Sequence, residues 1–190
     1  MEDPIRLFTT WLEKQKANAQ SALADAVCLS TIGLDTFPNT RFVSLKDVRD
    51  GTFIITGSTA SLKGQEIADH PSVALTFWWP ETMRQVRIQG TANPITTTLA
   101  QLYFNERSER SRAISRVSKQ GKYLTSIEEL QDKIERTLLH PDALQKPEDW
   151  GGYAITPLRM EFMNFKEDRF HERLLFSYEQ DNWIRRRLQP

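Results

Sequence analysis

Cysteine and histidine are both scarce in this 190-residue sequence. The single cysteine, Cys28, excludes an intramolecular disulfide, and its place in the apolar run Ala26-Val27-Cys28-Leu29 predicts a small core residue, not a nucleophile. The three histidines form no His-Glu-x-x-His or Cys/His set, so no zinc motif is present. We therefore predict no metal site.

Excess charge and long apolar runs are absent too. Lysine plus arginine number 25, and aspartate plus glutamate also number 25, so net charge does not favour nucleic acid as a partner. No apolar run approaches the roughly 18 residues of a membrane span. The acidic, polar start Met1-Glu2-Asp3-Pro4 is unlike a signal peptide. We expect a cytoplasmic protein that binds neither nucleic acid nor membrane.

Strand-like segments outnumber helical ones. Period-2 or β-rich segments occupy 27–32, 41–46, 52–56, 72–79, 84–91, 152–156, 159–165, 173–178 and 183–188. Helix signals mark the residues after Asp3, then 62–70, 96–106 and 126–139, the last with Ser126 and Glu129 as a capping box. Asp50-Gly51 and Asp181-Asn182 predict turns. The pattern predicts a mainly β fold with flanking α-helices (α+β), an antiparallel barrel. We expect one domain over 1–190, with an N-terminal helical segment at 1–26 and C-terminal strands at 150–190.

Basic residues recur on or near the predicted strands. They are Arg41, Lys46, Lys63, Arg84, Arg87, Arg169 and Arg173. Such residues indicate either a phosphate-bearing ligand or ion pairs at the surface. The hydroxyl-rich segment 58–63 could bind phosphate at a helix start or cap that helix. In a continuous strand Arg169, His171 and Arg173 would share one face, which favours an anionic or electron-rich ligand unless the strand is an exposed basic edge.

Seven segments resemble, in order, motifs of the pyridoxamine 5′-phosphate oxidase family. They are Arg41-Phe42-Val43-Ser44-Leu45-Lys46, Ser61-Leu62-Lys63-Gly64, Arg84-Gln85-Val86-Arg87-Ile88-Gln89-Gly90, Tyr103-Phe104-x-x-Arg107-x-x-x-Ser111, Val117-Ser118-Lys119-Gln120, Trp150-Gly151-Gly152-Tyr153 and Arg169-Phe170-His171-Glu172-Arg173. The closing segment 183–190 is similar as well. The resemblance spans nearly the whole chain and implies an FMN-binding antiparallel split β-barrel that forms a homodimer with FMN at the subunit interface.

The resemblance also implies a reaction. FMN would take a hydride from pyridoxamine 5′-phosphate or pyridoxine 5′-phosphate, and O2 would be reduced to H2O2, yielding pyridoxal 5′-phosphate. The implied cofactor-binding residues, Gln120 coming from the second subunit, are Arg41, Phe42, Val43, Ser44, Lys46, Thr56, Ser61, Lys63, Gln85, Gln120 and Arg173. The implied substrate-binding residues are Lys46, Tyr103, Arg107, Ser111, Arg169 and His171. Arg169 and His171 are also the implied catalytic residues.

The sequence departs from the family pattern where FMN would bind. Leu62 replaces an arginine, Met163 replaces a tryptophan, Gly121 replaces a serine, and the stretch 56–61 is one residue longer than usual. We therefore predict FMN binding weaker than is typical of the family. Two other functions are compatible with the residues: a related flavin oxidase acting on another aromatic compound, such as a phenazine precursor, and a non-catalytic flavin- or vitamin-phosphate-binding protein.

Overall fold

The computed structural model describes residues 3–18 and 23–190, which hold five α-helices and eight β-strands. The helices are α1 (Pro4–Asn18), α2 (Leu62–Asp69), α3 (Thr97–Asn105), α4 (Glu109–Val117) and α5 (Ile127–Leu138). The strands are β1 (Ala26–Ile32), β2 (Pro38–Arg49), β3 (Thr52–Ser58), β4 (Ser72–Trp79), β5 (Arg84–Pro94), β6 (Trp150–Asn164), β7 (Glu172–Glu179) and β8 (Asn182–Leu188). Within these ranges no helix is long and apolar enough to cross a bilayer.

The eight strands form one antiparallel sheet in the order β3-β2-β1-β4-β5-β6-β7-β8. The first part of β6 also pairs with β3, from Trp150 opposite Ser58 to Ile155 opposite Phe53, and this pairing closes a six-stranded barrel. Further along β6, from Arg159 to Asn164, β7 takes the place of β3 and leads into β8. The predicted antiparallel barrel with flanking helices is confirmed.

The core fills the barrel and extends beneath α1. Alternate strand residues such as Leu75, Phe77, Val86 and Ile88 are almost fully buried, as period-2 patterning requires. Phe8 of α1 is also fully buried, with its ring centroid 4.9 Å from those of Phe53 and Phe77. The apolar side of the first helix therefore packs into the same core as the barrel strands.

Two tight hairpins follow from local turn chemistry. Asp50 and Gly51 both have positive φ, 50° and 76°, so β2 turns directly into β3 at the predicted position. The second predicted turn, Asp181-Asn182, is displaced by one residue. Gln180 and Asp181 take the positive φ values there, and Asn182 already pairs with Glu179.

The helices begin and end close to the predicted bounds, with two differences. Asp3 caps α1, because its carboxylate accepts a hydrogen bond from the Ile5 amide. The helix ends at Asn18 and residues 23–25 form a turn, so α1 is shorter than the predicted segment 1–26. Residues 19–22 lie outside the described ranges. Ser126 caps α5 by accepting from the Glu129 amide, as predicted. Helix α4 was not predicted, because only three of its nine residues are apolar and only Ala113 is buried.

The last barrel strand, β6, is longer than predicted. Segments 152–156 and 159–165 belong to a single strand, and Pro157 lies inside it opposite Gly90, beside a register irregularity between Gln89 and Gly90. The irregularity accommodates a residue that has no amide hydrogen for the ladder. One continuous element therefore runs from Trp150 to Asn164.

Candidate cofactor and substrate site

A cavity of about 620 Å³ lies between β2, β3, α4 and the loop that follows α4. Its volume falls within the range of ordinary small-molecule sites. Five predicted cofactor residues from β2 and β3 line it: Phe42, Val43, Ser44, Lys46 and Thr56. Lys63, Gln120 and the predicted substrate residue Arg107 line it too. Sequence motifs that are far apart along the chain thus meet at one site.

Lys63 is at the centre of the first of two cationic clusters in this region. Its ammonium donates to Ser61 Oγ and to Gln120 Oε1, each at 2.9 Å. Burial and the nearby Arg41 guanidinium both lower the pKa of Lys63, in that order of size. Gln120 reaches Lys63 within one chain, whereas the family resemblance implied that it comes from the second subunit. Two cations held near each other favour an anionic ligand between them.

Glu66 of α2 fixes the position of Arg41. Its fully buried carboxylate accepts from the Arg41 guanidinium at 2.8 Å and from the Thr31 hydroxyl at 2.6 Å, and the Asn39 amide also donates to it. Burial alone would raise the pKa of Glu66, but the hydrogen bonds from Thr31 and Asn39 and the Arg41 charge outweigh it and lower this pKa. Arg41 lies beside the cavity without lining it.

The loop before α2, which the resemblance implies is one residue longer than usual, is anchored to the residue that precedes β6. The Thr59 amide and hydroxyl both donate to the Asp149 carbonyl oxygen, at 2.7 and 2.9 Å. A side chain at Gly64 would meet the Thr59 carbonyl oxygen at 2.1 Å, so glycine is required for α2 to pack against this loop. Ser61 therefore reaches Lys63 despite the additional residue. Leu62, where the resemblance implies an arginine, is half exposed on the first turn of α2.

The second cationic cluster contains Lys46 and Arg107. Lys46 forms an ion pair with Glu106 at 2.6 Å and lies 5.3 Å from the Tyr103 ring centroid. Arg107 lies 5.2 Å from the Trp150 ring and donates to Ser115 Oγ, and burial lowers its pKa. No carboxylate lies within ion-pair distance of Arg107 among residues 3–18 and 23–190. A half-buried guanidinium without a counter-ion is suited to binding an anion.

Two predicted substrate residues contribute less directly than expected. Tyr103 is buried, and its hydroxyl donates to Asp47 Oδ2 at 2.8 Å; burial and this bond raise its pKa. Ser111 bonds to Ser108 and does not line the cavity. Ser115, one helical turn further along α4, lines it and contacts Arg107. Sequence reasoning missed Ser115, although the i, i+4 spacing from Ser111 places both on one face.

Gln85 and Arg173 lie on a separate face of the molecule. The register pairs Gln85 of β5 with Met163 of β6, and Met163 with Arg173 of β7, so the three form a row across neighbouring strands. Arg173 donates twice to Glu161, at 2.9 and 2.7 Å. None of these residues lines the cavity of their own chain.

Arg169 and His171 lie in the loop between β6 and β7, and the prediction that they share a strand face with Arg173 was wrong. Arg169 has a φ of 64°, and β7 begins only at Glu172. The reason is local turn chemistry, since the Asp168 carboxylate accepts from the Phe170 amide and Lys166 O accepts from the Arg169 amide. The His171 ring instead turns toward Phe165, with 4.9 Å between ring centroids.

The remaining basic residues have protein partners. Arg87 forms an ion pair with Glu161 at 3.2 Å, and Arg84 lies over the Trp11 ring at 4.4 Å. Surface pairing thus explains Arg87, whereas Arg84 packs against α1 while its buried Nε and Nη1 atoms have no hydrogen-bond partner among the described residues. The ligand interpretation is confined to the two cationic clusters and to the loop that carries Arg169.

Known proteins resemble this chain over its whole length. Residues 14–140 match the family described as Pyridoxamine 5′-phosphate oxidase, and residues 150–190 match the Pyridoxine 5′-phosphate oxidase C-terminal dimerisation region. A pyridoxine/pyridoxamine 5′-phosphate oxidase from Thermosynechococcus vestitus is 39% identical over 190 residues, covering 100% of this chain and 90% of that protein. One from Haemophilus influenzae is 37% identical with the same coverage.

A solved structure shares the fold closely. PhzG from Burkholderia lata 383, in complex with tetrahydrophenazine-1-carboxylic acid, superposes with a TM-score of 0.95 at 28% identity, covering 100% of this chain and 94% of PhzG. The family match, the full-length relatives and the shared barrel agree. The chain is an oxidoreductase that belongs to the pyridoxamine 5′-phosphate oxidase family.

Proposed function

We propose that this chain is an FMN-dependent oxidase that converts pyridoxamine 5′-phosphate or pyridoxine 5′-phosphate to pyridoxal 5′-phosphate, with O2 reduced to H2O2. The observation that carries the proposal is the pair of cationic clusters around one cavity. Arg41 and Lys46 are five residues apart on β2, so their Cα atoms are separated by roughly 16 Å. Two separate anion sites suit two phosphates, one on the cofactor and one on the substrate.

The residues near Lys63 fit the phosphate end of FMN. Lys63 and Arg41 supply charge, Ser61 supplies a hydroxyl, and a side chain at Gly57 would lie 3.4 Å from the Lys63 ammonium, so glycine keeps that approach open. Phe42 on the cavity wall is three-quarters exposed and offers an aromatic surface. FMN, when bound, would supply the hydride acceptor, while the protein orients the ring systems and holds their phosphates.

The proposed site requires two chains. Arg107 lies beside Trp150 at the start of β6, whereas His171 lies beside Phe165, just beyond the end of β6. The 15 residues of β6 give a strand contour of about 45 Å, far longer than one pyridine phosphate. Because Arg107 and His171 of one chain lie beside opposite ends of this strand, we infer that they contact different substrate molecules. A homodimer that places the β6–β7 loop of one chain over the cavity of the other would bring His171 of one chain and Arg107 of the other to the same substrate. The matched C-terminal dimerisation region supports such a homodimer.

The same dimer would place the row of Gln85, Met163 and Arg173 over the flavin bound in the partner. Residues 1–190 would then act as one domain, with the C-terminal strands contributing to a neighbouring site.

The likeness to PhzG favours a second candidate, an oxidase acting on a reduced phenazine precursor. Lys46 and Arg107 argue for the phosphorylated substrate, because two cations beside the cavity match the two charges of a phosphate better than the single charge of a carboxylate.

Anaerobic half-reactions test the proposal. The FMN-loaded protein is mixed with pyridoxamine 5′-phosphate, and the flavin absorbance is followed before and after air is admitted. Rapid bleaching that air reverses is expected, with unphosphorylated pyridoxamine as the matched control. Bleaching by tetrahydrophenazine-1-carboxylic acid alone would transfer the assignment to the phenazine reaction. Flavin that stays oxidised with both compounds would indicate a binding protein.

A further inference from the structure

The turn that ends α3 places opposite charges on adjacent residues. The Glu106 amide donates to the Leu102 carbonyl oxygen at 3.3 Å, and the Arg107 amide donates to that of Phe104 at 3.2 Å. The Arg107 side chain lines the cavity. The Glu106 carboxylate instead contacts the Lys46 ammonium at 2.6 Å. The second cationic cluster therefore contains an anion of its own.

The end of a helix is an unfavourable place for a carboxylate. The carbonyl groups there carry partial negative charge, and α3 has no basic residue in its last turn. Lys46, which reaches Glu106 from β2, supplies a positive charge that offsets this repulsion. Glu106 does not line the cavity, whereas Lys46 does. The carboxylate therefore engages, from outside the cavity, a cation that lines it.

The charge that the second cluster offers to a ligand depends on this ion pair. Lys46, Arg107 and Glu106 together carry one positive charge, whereas a phosphate monoester carries about −1.5 to −2 at pH 7. Asp47, next to Lys46 in the sequence, accepts from the Tyr103 hydroxyl at 2.8 Å and so has a partner of its own. A phosphate therefore gains both cations only when Lys46 exchanges Glu106 for a phosphate oxygen. A singly charged carboxylate is matched by Arg107 alone.

From this geometry we propose that Glu106 is a specificity-determining residue, which competes with the substrate phosphate for the Lys46 ammonium. The identity of the ligand rests on the proposed function. Because pyridoxamine 5′-phosphate and pyridoxal 5′-phosphate carry the same phosphate, the competition weakens the binding of substrate and product alike. Glu106 thus raises KM without slowing the chemical step, and it shortens the time for which product stays bound. It acts through Lys46, as a positioning residue.

Equilibrium binding to the FMN-loaded protein tests the competition. The probe is 4-deoxypyridoxine 5′-phosphate, which has neither an aldehyde nor an oxidisable group at the 4′ carbon. Glu106→Gln removes the charge and keeps the side-chain length, and it should bind the probe about threefold to fivefold more tightly, since the paired side chains are 30% and 49% exposed. Unphosphorylated 4-deoxypyridoxine should bind equally to both proteins. Glu109→Gln is the matched control, because Glu109 lies 4.0 Å from Arg112 and should bind the probe like wild type.

A double-mutant cycle shows whether Glu106 acts through Lys46. In Lys46→Met protein, the further change Glu106→Gln should leave the affinity for the phosphorylated probe unchanged, because the group under competition is gone. An equal gain in both backgrounds would mean that Glu106 repels the phosphate directly, and the proposal would fail. Weaker or unchanged binding by Glu106→Gln in the otherwise wild-type protein would also overturn it.

Steady-state kinetics separates competition from damage to the fold. Glu106→Gln should lower KM for pyridoxamine 5′-phosphate by the same factor and leave kcat equal to or below that of wild type, whereas damage would lower kcat/KM. FMN affinity and melting temperature should not change. Wild-type protein that binds the phosphorylated probe without oxidising pyridoxamine 5′-phosphate would refute the proposed function alone, and the double-mutant cycle would still decide the role of Glu106. Absence of binding by wild type and by every variant would overturn both.

Discussion

At the scale of single residues, the fully buried Glu66 carboxylate is a charge that requires hydrogen-bond donors around it. It accepts hydrogen bonds from Thr31, Asn39 and Arg41. Glu66→Ala should lower the free energy of unfolding by about 3 kcal/mol, because it leaves a largely buried guanidinium without its counter-ion. Glu66→Gln is the matched control, since its amide oxygen still accepts from Arg41 and Thr31. Chemical denaturation of the cofactor-free protein measures both, and equal losses would contradict the pairing.

The same carboxylate gives the protein an acid-sensitive contribution to stability. The pKa of Glu66 is lowered in the folded protein relative to about 4.3 in an unfolded chain. Its contribution is therefore fully present above the unfolded value and is lost as pH falls through the lower folded value. Unfolding free energies measured between neutral pH and about pH 3 should fall less steeply for Glu66→Gln than for wild type. Parallel curves would show that Glu66 is not stabilised in its ionised form.

Leu62 is an implied departure from the family pattern that a single substitution can reverse. It is half exposed on the first turn of α2, next to Lys63, so Leu62→Arg adds a cation without disturbing the core. FMN affinity should rise roughly threefold to tenfold through one additional charge-assisted contact. Riboflavin, which has no phosphate, serves as the control and should bind equally to both proteins. A parallel gain for riboflavin would place the added arginine away from the phosphate.

At the scale of elements, the segment joining α3 to α4 provides the cation for the second anion site. Arg107→Leu should raise KM for pyridoxamine 5′-phosphate by roughly tenfold to a hundredfold and leave FMN affinity unchanged, because only one cluster loses its charge. Arg110→Leu is the control, since Arg110 is exposed and pairs with Glu135. An equal rise in KM in both variants would indicate a general effect of charge and no specific contact.

Elements with strong local signals could be predicted from the sequence, and those that depend on distant contacts could not. The hairpin at Asp50-Gly51 follows from two residues that tolerate positive φ. Helix α4 was missed because its polar face dominates. The shared strand face inferred for Arg169, His171 and Arg173 was wrong because the turn stabilised by the Asp168 carboxylate was not recognised. Family motifs located the cavity residues, but they could not show that Glu66 holds Arg41 or that Ser115 contacts Arg107.

At the scale of the whole molecule, closure of the barrel through β3 and β6 separates the two halves of the proposed site. Lys63→Met should impair the cavity half, and Arg173→Leu should impair the half carried by the C-terminal strands. Each homodimer should bind FMN weakly. After subunit exchange at equal amounts, half of the dimers are mixed and each has one intact site, so about a quarter of all sites should regain normal affinity. Recovery is measured by flavin fluorescence.

A mixture that never binds more FMN than the two parent proteins would mean that Lys63 and Arg173 of the same chain contribute to one site. Affinity capture through a tag on one variant, with the untagged variant recovered alongside it, confirms that subunits have exchanged. The experiment needs no turnover, so its result is independent of which substrate the protein oxidises.

In the proposed dimer, the length of β6 would also determine how activity depends on protein concentration. If neither end of the strand completes a site alone, newly made chains contribute nothing until they meet. At concentrations below the dimer dissociation constant, activity then rises with the square of the amount of protein. In that concentration range, a twofold drop in synthesis would lower the rate of product formation about fourfold. Activity would then depend on the expression level more than proportionally, because the 15-residue strand β6 divides the site between two chains.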